Sequence, residues 1–143
     1  MRTLRHLIHR LDIVSVSPDQ SVREVAELMN RSRVGAISVV EGEALVGLFS
    51  ERDLLTRVVV AGRDSDTTRV SEVMTHELVT AQLDDTVEQC LDLMQRTGCR
   101  HLPVLHEGRA IAMLSMRQLL RDEVSERDEE LSALRANLPS AQV

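Results

Sequence analysis

The chain has 143 residues, 43% of them apolar and 28% charged, with a formal net charge of −6. That supplies one compact domain, or two small halves sharing a core, and the acidic balance lacks the clustered cations that duplex nucleic acid requires. Phe49 is the only aromatic residue, so the core must be aliphatic, and the stacking platform of a single-strand binder is missing.

Residues Met1 to Ile8 interleave charge with apolar side chains, unlike a signal peptide. They place Leu4, Leu7, Ile8 and Leu11 on one face of a short helix that needs covering. His6 and His9 lie three apart on it, a spacing that metal sites use, but no Cys, Asp or Glu completes a set. A solvated face is expected there, and no metal. Ile13-Val14-Ser15-Val16 reads as a short strand. Ser21 and Glu24 form a capping box, and Val22, Val25, Ala26, Leu28 and Met29 follow at helical spacing. Ala36–Val40 and Ala44–Phe49 read as strands around the turn Glu41-Gly42-Glu43. A further helix starts at Ser50.

The pattern then returns. Leu78-Val79-Thr80-Ala81 reads as a strand, Thr86 and Gln89 as a capping box, and Val87, Cys90, Leu91, Leu93 and Met94 as an apolar helix face. His101–Leu105 and Arg109–Leu114 form a second hairpin around His106-Glu107-Gly108, and a last helix starts at Ser115. Arg117 to Leu138 reads as one long helix. Leu120, Val124, Leu131, Leu134 and Leu138 recur on it at nearly heptad spacing, interrupted by Arg127. No run approaches the ~18 apolar residues that span a bilayer. Cys90 and Cys99 make no disulfide framework, so two reduced thiols in a cytoplasmic protein are expected.

The two halves are copies. Shifted by 65 positions, Asp12 through Leu55 falls on Glu77 through Leu120 without a gap. Val14 meets Val79, Leu28-Met29 meets Leu93-Met94, Ser50 meets Ser115, Arg52 meets Arg117, and Leu54-Leu55 meets Leu119-Leu120. Each unit is β-α-β-β-α, too small to bury its own helices well. The expected fold is mixed α/β: two units packed through their sheets about a pseudo-twofold axis, sharing a core, with N- and C-terminal helices. The expected divisions are 1–62, a first repeat with the N-terminal helix; 63–76, a linker; 77–121, the second repeat; and 122–143, a helical extension.

These features resemble the tandem cystathionine β-synthase (CBS) domain pair, or Bateman module, of the short stand-alone bacterial type. Val14-Ser15-Val16-Ser17-Pro18 opens one unit and Gly47-Leu48-Phe49-Ser50-Glu51-Arg52-Asp53 closes it. Val70-Ser71-Glu72-Val73-Met74-Thr75 leads into the second unit, which carries Arg100-His101-Leu102-Pro103-Val104 and Met113-Leu114-Ser115-Met116-Arg117-Gln118. The resemblance implies a regulatory sensor, not an enzyme, binding AMP, ATP or NAD, with S-adenosylmethionine a weaker candidate. It places the adenosine between the repeats. It also implies a homodimer of four repeats in a flat disc, reporting to an effector protein that the sequence does not name.

The main cleft implied in this way combines Phe49, Ser50, Arg52 and Asp53 of the first closing motif with Val79, Thr80, Cys99, Arg100 and His101 of the second repeat. The Asp53 carboxylate is expected to accept from two ribose hydroxyls. Ser50 at a helix N-cap faces phosphate, with Arg52 and Arg100 adding charge and His101 a donor. Val79 and Thr80 flank the adenine, and Cys99 touches the base. Ser50-Glu51-Arg52-Asp53 reads equally as a capping box with no ligand. A weaker second cleft would use Ser15, Gly35, Ala36, Ser115, Arg117 and Gln118. Gln118 replaces the aspartate there, and the facing segment lacks the Arg-His pair. A dinucleotide would reach across both clefts. The competing reading is a dimerisation scaffold whose clefts have lost their ligand.

Overall fold

Ser21 and Thr86 start the two repeat helices as their side chains dictate. The Ser21 hydroxyl accepts from Glu24 N at 3.1 Å and the Thr86 hydroxyl from Gln89 N at 3.1 Å, satisfying N–H donors that a helix start leaves unpaired. The reciprocal bond of a full capping box forms only at Thr86, from its own N to Gln89 Oε1; the Ser21 backbone instead bridges to Arg69. The structure, a computed structural model, describes residues 2–8 and 13–138.

In chain order the elements are α1 (Leu4–Leu7), β1 (Ser15–Val16), α2 (Val22–Ser32), β2 (Ala36–Glu41), β3 (Ala44–Ser50) and α3 (Glu51–Asp53), which runs on as a π-helical turn over Leu54–Val59. Then come α4 (Val70–Val73), β4 (Ala81–Gln82), α5 (Val87–Thr97), β5 (His101–His106), β6 (Arg109–Ser115) and α6 (Met116–Ala136). β1-β2-β3 form one sheet and β4-β5-β6 the other. In each, a short parallel strand lies beside an antiparallel hairpin, with a register shift at equivalent positions, Val39/Val40 and Val104/Leu105. β1 keeps only the last two residues of the expected strand, and β4 keeps only Ala81 of the expected Leu78–Ala81 and runs on to Gln82, because these are the residues that pair with the central strand. β2 and β3 lie against β6, so the repeats do meet through their sheets.

The buried apolar residues divide into two clusters rather than one shared core. Val22, Val25 and Met29 of α2 pack with Ile37, Val39 and Phe49 of the first sheet. Val87, Cys90 and Met94 of α5 pack with Leu102, Val104, Leu114 and Leu119. Burial pushes the Cys90 thiol up to about 11, so it stays protonated and inert.

The two leading helices are exchanged. α1 was expected with the first repeat, but Leu4 is fully buried in the second cluster. Leu4 N donates to Asp85 O at 2.9 Å, and Val87 N donates to Arg2 O at 3.2 Å. The linker helix α4 does the converse: Val70, Val73 and Met74 complete the first cluster, with Val70 N bonded to Gln20 O and Val22 N to Thr68 O. Arg5 fastens α1 from outside. Its Nε and Nη2 donate to Asp84 at 2.9 and 3.3 Å, holding that carboxyl below the usual carboxylate range. Arg2 Nη2 reaches Asp122 Oδ1 at 2.5 Å, tying the N-terminus to α6. Of the expected histidine pair, His6 bonds locally to Thr3; His9, like Leu11, lies outside the described residues. Among the described residues no helix is long and apolar enough to cross a membrane.

Candidate functional site

Two serines begin the helices that close each repeat, and the chain loops back on both. Ser50 Oγ accepts from Asp53 N at 3.1 Å, while Ser50 N and Oγ each donate to Asp53 Oδ2 at 3.0 Å. Ser115 and Gln118 form the matching box at 3.1 and 2.9 Å. The capping reading of these motifs is therefore realised in both repeats. Asp53 is further engaged by Thr75 Oγ1, which donates to both its oxygens at 3.3–3.4 Å, and by Arg57 Nε at 3.6 Å. Arg57 in turn donates from Nη1 to Val73 O and Met74 O at the end of α4. Asp53, 8% exposed, is thus the centre of a joint between α3 and the linker.

Above this joint lies a cavity of about 510 Å³, within the range that holds small ligands. The first repeat lines it with Gly35, Leu48, Ser50, Glu51 and Arg52. The linker and second repeat add Thr75, Glu77, Leu78, Val79, Gly98, Cys99, Arg100 and His101. The pieces meet because Thr75 pairs with Leu48 across the edge of β3, through Leu48 N–Thr75 O at 3.0 Å and Thr75 N–Leu48 O at 2.8 Å.

Ser50, Arg52, Val79, Cys99, Arg100 and His101 thus surround one space. Three other residues do not join them. Phe49 is fully buried in the first core; alternation along β3 turns it away from Ser50's face. Thr80 does not line the cavity, and neither does Asp53, whose carboxylate is occupied by its own helix cap and by Thr75.

A second, more open cavity of about 1350 Å³ lies beside the first. Of the expected second-cleft residues, Gly35, Ser115 and Arg117 line it; Ser15, Ala36 and Gln118 do not. Gln118 is consumed by its cap, as Asp53 is. Nor does this cavity lack the Arg-His pair, for Arg100 and His101 line both spaces. They sit on the seam because the hairpins are pseudo-symmetric: Glu51 N donates to Gly35 O at 3.0 Å, and Met116 N to Arg100 O at 2.8 Å. A methyl group on Gly35 would stand 3.3 Å from His101 Nε2. Burial lowers the His101 pKa and Arg100 lowers it further, against the pull of Glu51, leaving a neutral imidazole at pH 7.

Arg33 and Arg121 also line the larger cavity, and sequence reasoning did not single them out. Two signals pointed to them. Arg121 stands one turn after Arg117 on the same helix face. Arg33 aligns with Gly98 in the repeat.

The family model for the CBS domain matches residues 4–60 and 70–125. The CBS domain-containing protein CBSX3, mitochondrial, of Arabidopsis thaliana is 37% identical over 123 residues, covering 82% of this chain; the chain spans 60% of that relative's length. The crystal structure of the CBS domain of NE2398 superposes with a TM-score of 0.82 at 33% identity, covering 87% of this chain and 99% of that one. CBS domain protein PAE2072 from Pyrobaculum aerophilum, complexed with AMP, gives a TM-score of 0.74 at 28% identity, covering 81% and 88%.

Proposed function

Since the chain belongs to the CBS-domain family and carries two such domains in tandem, we propose that it is a regulatory module, not an enzyme, that senses an adenine nucleotide in the cavity of about 510 Å³ between its repeats. The observation that carries this is the convergence of Ser50 and Arg52 with Arg100 and His101 on one space walled by Leu48, Leu78 and Val79. Apolar walls suit a purine face, and Arg52 and Arg100, set among Glu51 and Glu77, supply guanidinium groups that suit a phosphate. The AMP complex of PAE2072 supports the same ligand class. Ligand bridging the repeats favours one angle between them, and an effector protein reads that angle, within the limit set by the ligand's differential affinity for the two states. The unpaired thiols Cys90 and Cys99 suit the cytoplasm.

A thermal-shift and calorimetry panel with AMP, ADP, ATP, NAD and S-adenosylmethionine tests the reading. At a hundred times its dissociation constant a ligand stabilises by about 2.7 kcal/mol, which raises Tm by roughly 8–10 °C for a chain of this size. Arg100→Ala should weaken AMP binding about tenfold. Absence of any shift across the panel sinks the proposal.

We further propose that the module is a homodimer. Leu131 and Leu134 of α6 are 50% and 63% exposed, on the heptad seam that also carries Val124 and Leu138, and the helix there projects past the second core. A second copy of the same seam would cover them. Sedimentation should show a dimer, and L131E/L134E a monomer that keeps its nucleotide response. A wild-type monomer at high micromolar concentration refutes the dimer alone.

A further inference from the structure

α6 carries its charges in an order that a lone helix does not favour. A helix dipole favours carboxylates in the first turn, where α6 has none; Arg117 and Arg121 come first instead. From Asp122 onward, six carboxylates stand against two arginines, Arg127 and Arg135. Asp122 and Glu126 are engaged by Arg2. Among the described residues, Arg117, Arg121 and Arg127 form no ion pair, and neither do Glu123 and the carboxylates of residues 128–130. The helix is therefore basic at one end, acidic along the rest, and uncompensated at both.

Its apolar stripe follows the same course. Leu119 points into the second core, so Leu120 and Val124 look outward, exposed, and line the larger cavity. The stripe continues through Arg127 to the exposed Leu131, Leu134 and Leu138. A partner helix would cover it, and charge decides the direction of that partner. In a parallel pair Arg127 meets its own copy and the two acidic stretches lie side by side, so like charges oppose one another along the seam. In an antiparallel pair centred between Arg127 and Asp128, Val124 meets the partner's Leu131 and Leu120 meets the partner's Leu134. Arg127 then faces the partner's Asp128, and Arg121 comes within one turn of the partner's Glu130. Charge complementarity of this kind fixes orientation and register.

We infer that α6 pairs antiparallel with α6 of a second copy, and that the partner's acidic stretch lies along Leu120, Arg121 and Val124 and closes the open side of the larger cavity. This rests on the homodimer reading above and gives it a direction. The larger cavity is then a site built by two chains, walled by α2 and the start of α6 from one and by the end of α6 from the other. A twofold axis makes the exchange reciprocal, so both larger cavities of the dimer are closed in the same way.

Disulfide trapping in a Cys99→Ser background tests the direction. Chains carrying Val124→Cys and chains carrying Leu131→Cys are mixed and oxidised. The mixed disulfide should form, and neither variant should cross-link alone. Cross-linking of each variant with itself shows a parallel pair and overturns the inference. A dimer in sedimentation that cross-links in neither way also overturns it, and leaves the homodimer standing on another surface. A monomer removes both. Alkylation tests the closure. In the same background, Leu120→Cys should react with a maleimide several-fold more slowly in the dimer than in a chain that also carries L131E/L134E. Equal rates, with the mixed disulfide formed, overturn the closing of the cavity.

Discussion

Leu4→Ala should unfold the second repeat more readily than any substitution of an exposed residue in that repeat. Leu4 is fully buried among the side chains of α5, β5 and β6, although more than 80 residues separate it from α5. Truncating a buried leucine costs about 2–5 kcal/mol, from lost transfer energy and the cavity left behind. The lower part of that range suffices to reduce Tm by roughly 10 °C in a chain of this size. Location is the informative part. Hydrogen exchange should accelerate first in the amides of β5 and β6, with β2 and β3 protected for longer. Val70→Ala should do the reverse, because Val70 closes the first cluster. If Leu4→Ala loosens β2 and β3 instead, or shifts Tm by less than about 3 °C, the exchange of leading helices is wrong.

That exchange also explains where the sequence stopped being legible. The self-comparison at 65 positions detects the repeats because strands, helices and caps share one spacing: Gln20 aligns with Asp85, and Val22 with Val87. The leading helices obey another. Leu4 and Val70 make equivalent bonds, to Asp85 and Gln20, and 70 − 4 is 66. Arg2 and Thr68 make the matching pair, again 66 apart. A gapless comparison therefore ends near Asp12, and α1 goes by default to its nearest neighbour in sequence. Chain proximity is no guide here, since a four-residue helix has no stability of its own and settles wherever an apolar gap admits it.

The candidate site was legible to a different depth. Ser50, Arg52, Val79, Cys99, Arg100 and His101 converge because hairpin and cap positions follow from local rules that the sequence displays openly. The side-chain directions of Phe49 and Thr80, and the partners of Asp53, depend on which face the sheet turns inward and on what the linker brings near. Thr75 reaches Asp53 only after α4 has docked on the first repeat, a contact 22 residues away in the chain. Arg33 is marked in the sequence only by standing where the second repeat has Gly98; that both residues take the left-handed conformation is visible in the backbone alone.

Asp53→Ala should destabilise the protein before any ligand is added. If the carboxylate stood free for a ribose, its removal from the unliganded chain would be nearly silent, and the whole loss would appear in nucleotide affinity. The geometry requires otherwise. Oδ2 accepts from Ser50 N, Ser50 Oγ and Thr75 Oγ1, and Oδ1 lies 3.6 Å from Arg57 Nε. Alanine strips a helix cap, worth about 1 kcal/mol, and leaves part-buried donors unpaired at about 1–3 kcal/mol more. A loss of about 2–4 kcal/mol, or roughly 6–13 °C in Tm, is expected in the absence of ligand. Asp53→Asn keeps an acceptor oxygen for the cap and should lose less than half as much. Arg57 would then face Thr75 and the α4 carbonyls without its carboxylate, so the joint between the first repeat and the linker weakens in both variants. Because that linker carries Thr75 and Glu77 into the wall of the smaller cavity, nucleotide affinity should fall along with stability. Arg100→Ala, at the seam between the cavities and remote from the cap, should lower affinity with Tm nearly unchanged. A substitution at Asp53 that behaves like the one at Arg100 would return the carboxylate to the ligand; parallel losses of stability and affinity assign it to the scaffold that holds the cavity open.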